Sequence, residues 1–303
     1  MAVAGIGGAG GGPELTDRRH RAEQLAARLP PLLVAAERVA ATVAQGVHGR
    51  RRVGVGETFW QFRPYQPGDS AGRIDWRQSA RSVQLFLRDQ EWEAAESVWL
   101  WRDGSPSMDY RSEPAGRTKL DRAIVLLLAL ASLLTRGGER VALLGGRGRP
   151  IGGRAGMEAL CRGLVEPHAR LVSLPATEPL PRYARLVLIG DFLTPIDELR
   201  ARLRDYVAMG VRGHLLQVLD PAEETLPFAG RVRFEGPEDE GSTLIGNVGG
   251  VRATYTERLE AHRAALRDLA RSFGWTCAVH RTDHPPEPAL LALYVALAIK
   301  VGA

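Results

Sequence analysis

The chain has 303 residues, 45% hydrophobic and 25% charged, an ordinary globular usage that excludes collagen-like, fibrous and wholly disordered classes. Its net charge of +5 is carried by arginines scattered along the chain, apart from Arg50–Arg51–Arg52, and lysine occurs only at Lys119 and Lys300. Scattered charge without interleaved aromatics argues against a nucleic-acid groove. Two cysteines, Cys161 and Cys277, exclude a disulfide framework and a Cys-rich zinc site, and a reducing, cytoplasmic compartment is expected.

Residues 1–13, MAVAGIGGAGGGP, read as a disordered Gly/Ala leader without the basic region and apolar core of a signal peptide. Over 14–45, Leu25, Leu29, Leu32, Leu33, Ala36 and Val39 approximate the helical i, i+3, i+4 stripe. Pro30–Pro31 should end a first helix and open a second. Residues 46–96 are dense in Gly, Arg and aromatics, with turns such as Gln66-Pro67-Gly68-Asp69 and a strand at 83–88. They read as a β-rich segment packed on the main domain.

From Ser97 the pattern becomes strand–helix alternation. Strands are expected at 97–101, 141–144, 185–189, 211–219 and 276–280, with a short pair at 231–234 and 242–245. Helices are expected at 120–135, 155–164, 195–209, 251–273 and 287–299. The last of these contains the longest apolar run, too short for the roughly 20 residues that cross a bilayer. The expected architecture over 97–300 is α/β: a doubly wound, mostly parallel sheet with helices on both faces.

In such sheets ligands gather at the carboxyl ends of the strands. Two strand ends carry aspartate: Asp103 after 97–101 and Asp191 after 185–189. Asp103-Gly104-Ser105-Pro106-Ser107 puts a carboxylate and two hydroxyls at alternate positions of a loop. Those are hard oxygen donors suited to Mg²⁺ or Mn²⁺. The competing reading is a plain turn whose hydroxyls cap local N–H groups. Gly145-Gly146-Arg147-Gly148 lacks the lysine of a phosphate-binding loop and reads as a turn, so the chain is not itself a P-loop ATPase. His280 and His284 are followed by Pro285–Pro286, which argues against a helical metal pair.

The strand, Asp-x-Ser-x-Ser, long apolar helix and later strand-end aspartate resemble a von Willebrand factor A domain and its metal-ion-dependent adhesion site. The resemblance implies that Asp103, Ser105, Ser107 and Asp191 form that site. The site's threonine has no counterpart in the segment Arg149 to Arg154, so weak or absent Mg²⁺ binding is expected. Arg154 is expected near the site, where it would receive a partner's carboxylate.

Upstream, Arg63-Pro64-Tyr65-Gln66-Pro67-Gly68-Asp69, Arg73-Ile74-Asp75-Trp76 and Ser79-Ala80-Arg81 are similar to the hallmark of the bacterial DUF58 family. The acidic stretch Glu91, Glu93, Glu96, then Lys119-Leu120-Asp121 and Gly190-Asp191-Phe192-Leu193, also fit. The expected roles of the hallmark are structural. Tyr65 and Trp76 belong to the core, Gly68 to a turn, and Arg63, Asp69, Asp75 and Arg81 to an ion-pair network. Many members of the family carry N-terminal membrane helices, whereas this sequence reads as a soluble short form.

The resemblance implies a non-catalytic adaptor paired with a MoxR-type AAA+ ATPase in the maturation of another complex. Asp103, Ser105, Ser107, Arg154 and Asp191 would form its docking face. The alternative is a metal-dependent hydrolase or phosphatase with Asp103 as nucleophile. That chemistry needs a general acid two residues on, where Ser105 stands.

Overall fold

The segment Ser97–Arg102 (β3) alternates its side chains across a sheet. Val98 and Leu100 pack into one buried cluster, Trp99 and Trp101 into another on the opposite face. This computed structural model describes residues 27, 29–45, 59–65, 74, 76–81, 84–90, 97–146, 148–166, 172–236 and 241–298.

Around β3 lie Arg140–Leu143 (β4), Ile151–Gly152 (β5), Arg185–Gly190 (β6), Arg212–Leu219 (β7) and Thr276–Arg281 (β10). Their spatial order is β10-β7-β6-β3-β4-β5, parallel except for β5, which runs antiparallel to β4. One face is covered by residues 29–45 (α1), Lys119–Arg136 (α3), Gly153–Val165 (α4) and Glu287–Ala298 (α8). The other is covered by Ile196–Ala208 (α5) and Val248–Ser272 (α7). The expected doubly wound α/β architecture is therefore present as a mostly parallel six-stranded sheet between helical layers.

α3 is the central helix, with every residue from Ala123 to Leu134 buried. That is why its sequence is an unbroken apolar run rather than a stripe. Thr118 caps it, its Oγ1 accepting from the Asp121 N–H at 3.1 Å. Pro30 and Pro31 lie in helical conformation at the start of the stretch 29–45, and Ala27 before them is helical as well.

Chain order fixes where the sheet can host a site. From β3 the chain goes to β4 on one side, then returns to β6 on the other, so the direction of winding reverses between β3 and β6. The crevice at such a switch point lies outside the carboxyl ends of those two strands. Asp103 and Asp191 immediately follow them.

Short elements not expected in the sheet domain include β5 and Pro221–Thr225 (α6) after β7. Val232–Glu235 (β8) and Ser242–Ile245 (β9), expected as a short pair, run antiparallel to each other. In the hallmark region, Phe59–Pro64 (β1) pairs antiparallel with Phe86–Gln90 (β2), and Trp76–Ser79 (α2) is a single turn. Trp76 is a correction: the expected core residue is 64% exposed. Its one-turn helix buries Ser79 instead, whose hydroxyl accepts from the Phe86 N–H at 2.9 Å. Tyr65 is half-buried and Arg81 exposed. Gly68, Asp69, Asp75 and the Arg63 side chain lie outside what is described, as do residues 1–13.

His214 on β7 and His280 on β10 are 6% and 4% exposed. Burial pulls both pKa values down to about 4, helped by Arg185 at His214 and by Arg122 and His284 at His280. The unfolded chain takes up these protons near pH 6.5, the folded chain only near pH 4. Stability therefore falls as the pH drops between those values, by up to about 3 kcal/mol per histidine. Urea unfolding at pH 7.0 and 4.5 should show this loss, and the double variant His214→Gln, His280→Gln should lose most of the pH dependence. An unchanged dependence in the double variant would contradict the assignment.

Candidate functional site

The loop after β3 folds back on Asp103. Its Oδ1 accepts from the Ser105 N–H at 2.8 Å and from the Ser105 hydroxyl at 2.6 Å. Ser105 Oγ lies 2.9 Å from Ser107 Oγ, and the Ser107 hydroxyl donates to Asp191 Oδ2 at 2.7 Å. Four oxygens predicted from the sequence thus form one continuous chain across the switch point. The strands meet closely enough for this because residue 190 is glycine. A Cβ there would sit 2.8 Å from the Asp103 Cβ.

The chain continues through a residue that sequence reasoning left out of the site. Lys119, at the first turn of α3, is completely buried. Its Nζ donates to Asp191 Oδ2 at 2.9 Å and to Glu223 Oε1 at 2.5 Å. Burial pulls its pKa down, but Asp191 and Glu223 together more than offset this and hold the ammonium above its ordinary value. Glu223 comes from α6, on a third strand end. Its Oε2 accepts from the Asp220 N–H at 2.9 Å while Asp220 accepts from Ala222, a capping box. The other Asp220 oxygen accepts from the Ser112 N–H at 2.8 Å and ties the Asp-x-Ser-x-Ser loop to α6. Asp191 is held through its backbone carbonyl by the Gln217 amide at 2.8 Å. Next to it, Phe192 adopts φ +49°, and its carbonyl meets His262 Nε2 at 2.6 Å.

Counting protons tests the donor set. Asp103, Ser105, Ser107 and Asp191 make three side-chain oxygen–oxygen contacts, and two hydroxyls supply two protons. With both protons directed at the carboxylates, the serine oxygens face each other at 2.9 Å through lone pairs. Adjacent ligands of an octahedral Mg²⁺ site with bonds of about 2.0–2.1 Å are about 2.9 Å apart. The serine pair thus fits one edge of a hard-cation site, with the carboxylates behind it. Around it lie buried Asp103 and Asp191, with the Lys119 ammonium paired to Asp191 and Glu223. The residues present fit a divalent cation, held by Ser105 and Ser107 with Asp103 and Asp191 orienting the hydroxyls. Among the described residues no cluster of three or more His, Cys, Asp or Glu ligands occurs.

Arg154 is not part of the cluster. β5 turns back antiparallel and pairs Gly152 with Arg140, at the start of β4. The start of α4 therefore lies at the amino ends of the parallel strands, opposite Asp103. The Arg154 side chain is 92% exposed and pairs with Glu158 at 2.9 Å. The same turn removes the segment 149–154 as a source of the missing threonine. In front of the cluster is an open pocket of about 790 Å³ that reaches Ser107, Asp191 and Glu223, walled by Tyr110, Tyr255 and Phe234.

Gly190→Ala should cost about 1–3 kcal/mol by overpacking against Asp103, whereas Gly246→Ala, where the new Cβ meets nothing within 4 Å, should change little. Urea denaturation of both variants checks this. Equal midpoints would mean that the strand ends do not need the close approach.

Two sets of similar proteins bear on this chain. It is 29% identical, over 277 residues, to an uncharacterized protein of Mycobacterium bovis and to uncharacterized proteins of two strains of Mycobacterium tuberculosis, covering 86% of this chain and 86% of each relative. The model of DUF58, a family described as proteins of unknown function, matches residues 61–265 and so takes in the hallmark segment, both strand-end aspartates, Lys119 and Glu223. The chain belongs to the DUF58 family.

Proposed function

We propose that this chain is a non-catalytic interaction protein of von Willebrand factor A type, working in the cytoplasm with a MoxR-type AAA+ ATPase in the assembly or maturation of another protein complex. It docks through the face at the carboxyl ends of β3, β6 and β7, around a degenerate adhesion site that holds Mg²⁺ or Mn²⁺ weakly. The observation that supports this reading is the Ser105–Ser107 pair set between two strand-end carboxylates, with Ser105 buried and Ser107 on the wall of the pocket. Groups placed by a rigid sheet lose little freedom on binding, so such a face suits recognition. No helix among the described residues is long and apolar enough to cross a membrane.

The phosphatase alternative has less support. Asp103 is fully buried and its Oδ1 already accepts two hydrogen bonds. A nucleophile needs a lone pair directed at substrate, and this carboxylate instead orients Ser105.

Co-expression with a MoxR-type AAA+ ATPase of the same genome tests the docking face. Ser107→Ala should weaken retention of the ATPase at least tenfold, as expected for loss of one polar group at a desolvated contact. Arg154→Ala, at the opposite end of the sheet, should leave it unchanged. Retention by folded Ser107→Ala, or its loss in Arg154→Ala, would move the interface elsewhere. Mg²⁺-dependent phosphatase turnover abolished by Asp103→Asn would favour the alternative.

A further inference from the structure

The pocket in front of the serine pair has a strand with an unused edge as one of its walls. β8 pairs with β9 in a two-stranded sheet, and among the described residues no third strand joins them. The Gly236 N–H donates to the Gly241 carbonyl at 2.9 Å. Antiparallel bonding alternates along a strand, so Phe234 and Val232 also bond toward β9. The main-chain N–H and C=O groups of Arg233 and Glu235 then point the other way. That way lies the pocket: Val232, Arg233, Phe234 and Glu235 all line it, and no residue of β9 does. Successive side chains leave a strand on opposite faces, so a cavity bordered by every residue of β8 runs along its edge rather than over one face. We propose that an extended segment of a partner protein adds to β8 as an antiparallel strand inside this pocket. The addition rests on the docking face proposed above and names how the partner is held there.

The edge specifies the chemistry of the segment. Arg233 and Glu235 are exposed on one face of β8, and Phe234 between them is half-buried on the other, packed edge-on against Phe228 with ring centroids 5.6 Å apart. Among the described residues neither Arg233 nor Glu235 has an ion-pair partner. Residues directly opposite in an antiparallel pair share a face, where opposite charges and apolar pairs stabilise and like charges destabilise. The complement, in the direction of the incoming chain, is a basic residue facing Glu235, an apolar one beside Phe234 and an acidic one facing Arg233. Free main-chain groups supply the affinity and the alternate side chains the selectivity.

β8 has no proline and pairs with β9 in unbroken register, so it lacks two of the devices that close exposed edges to pairing. Its shortness, about 13 Å at the usual rise, restricts the addition to one short segment. A second copy of the chain would also set Arg233 opposite Glu235. Its β8 carries β9 on the other edge, however, and would bring a ribbon two strands wide into a cavity walled elsewhere by Tyr110, Tyr255 and the loop after β6. A single strand suits that space.

The test titrates the full chain into a fluorescein-labelled, amidated peptide, Thr-Arg-Val-Glu-Thr, and reads anisotropy. The peptide's Arg and Glu should exchange main-chain bonds with Glu235 and Arg233, whereas its Val amide points away. N-methylating the peptide's Arg should therefore weaken binding roughly tenfold, and N-methylating its Val less than about twofold. Exchanging its Arg and Glu should also weaken binding. On the protein side, Arg233→Pro removes an N–H that β9 does not use and sets a ring on the edge. It should abolish peptide binding with the urea midpoint unchanged, while Arg233→Ala should only weaken binding. No binding of the parent peptide at millimolar concentration, equal loss from both N-methylations, or full binding by Arg233→Pro would each overturn the proposal. So would a wild-type dimer that Arg233→Pro dissolves, which would give the edge to a second copy. If Arg233→Pro does not fold, the N-methyl comparison on the wild type decides. The titration needs no ATPase: loss of the ATPase in Ser107→Ala without peptide binding would overturn strand addition and leave the docking face standing, and peptide binding with ATPase retention indifferent to Ser107→Ala would do the reverse.

Discussion

The strand-end face depends on one buried ion cluster: the Lys119 ammonium held between Asp191 and Glu223. Each of the three residues belongs to a different segment, the start of α3, the end of β6 and the short α6 after β7. A buried charge left without its partner costs several kcal/mol, so these segments hold one another in place. Asp191 in turn receives Ser107, which meets Ser105, which is fastened to Asp103. The two serines are presented as a pair because the carboxylates behind them are fixed, and the carboxylates are fixed because the sheet reverses its winding between β3 and β6.

That dependence explains why the site was only half legible in the sequence. Asp103 and Asp191 were visible because each follows a short apolar run ending in a turn, and the geometry of a doubly wound sheet brings such ends together. Lys119 and Glu223 were not. Their contacts join residues 72 and 104 positions apart, and a lysine ahead of an apolar helix looks like an ordinary surface start. The capping box around Asp220-Pro221-Ala222-Glu223 carried a readable helix signal, but five residues are too few for hydrophobic periodicity to register. Arg154 was misplaced for a topological reason. It follows the loop where the threonine of an adhesion site was sought, yet a two-residue antiparallel strand carries the chain to the other end of the sheet.

The long elements were legible for the opposite reason. β3, β6 and β7 are buried on both faces and read as continuous apolar runs; α3 is apolar all round because the sheet and neighbouring helices enclose it. Trp76 shows the limit of composition: a large aromatic implies a core only where an element is long enough to bury it, and α2 is a single turn. The chain belongs to DUF58 and is similar to uncharacterized mycobacterial proteins, so the role proposed for it rests on its own physical arrangement.

Hydrogen–deuterium exchange of the chain alone and in the presence of the proposed partner, a MoxR-type AAA+ ATPase of the same genome, tests the central claim most directly. Docking at the strand ends predicts slowed exchange in 104–112, 191–195 and 226–235, the segments that border the serine edge and its pocket, with no change in 151–158. Protection confined to 151–158 or to α1, with the strand-end loops exchanging as in the free chain, would contradict it.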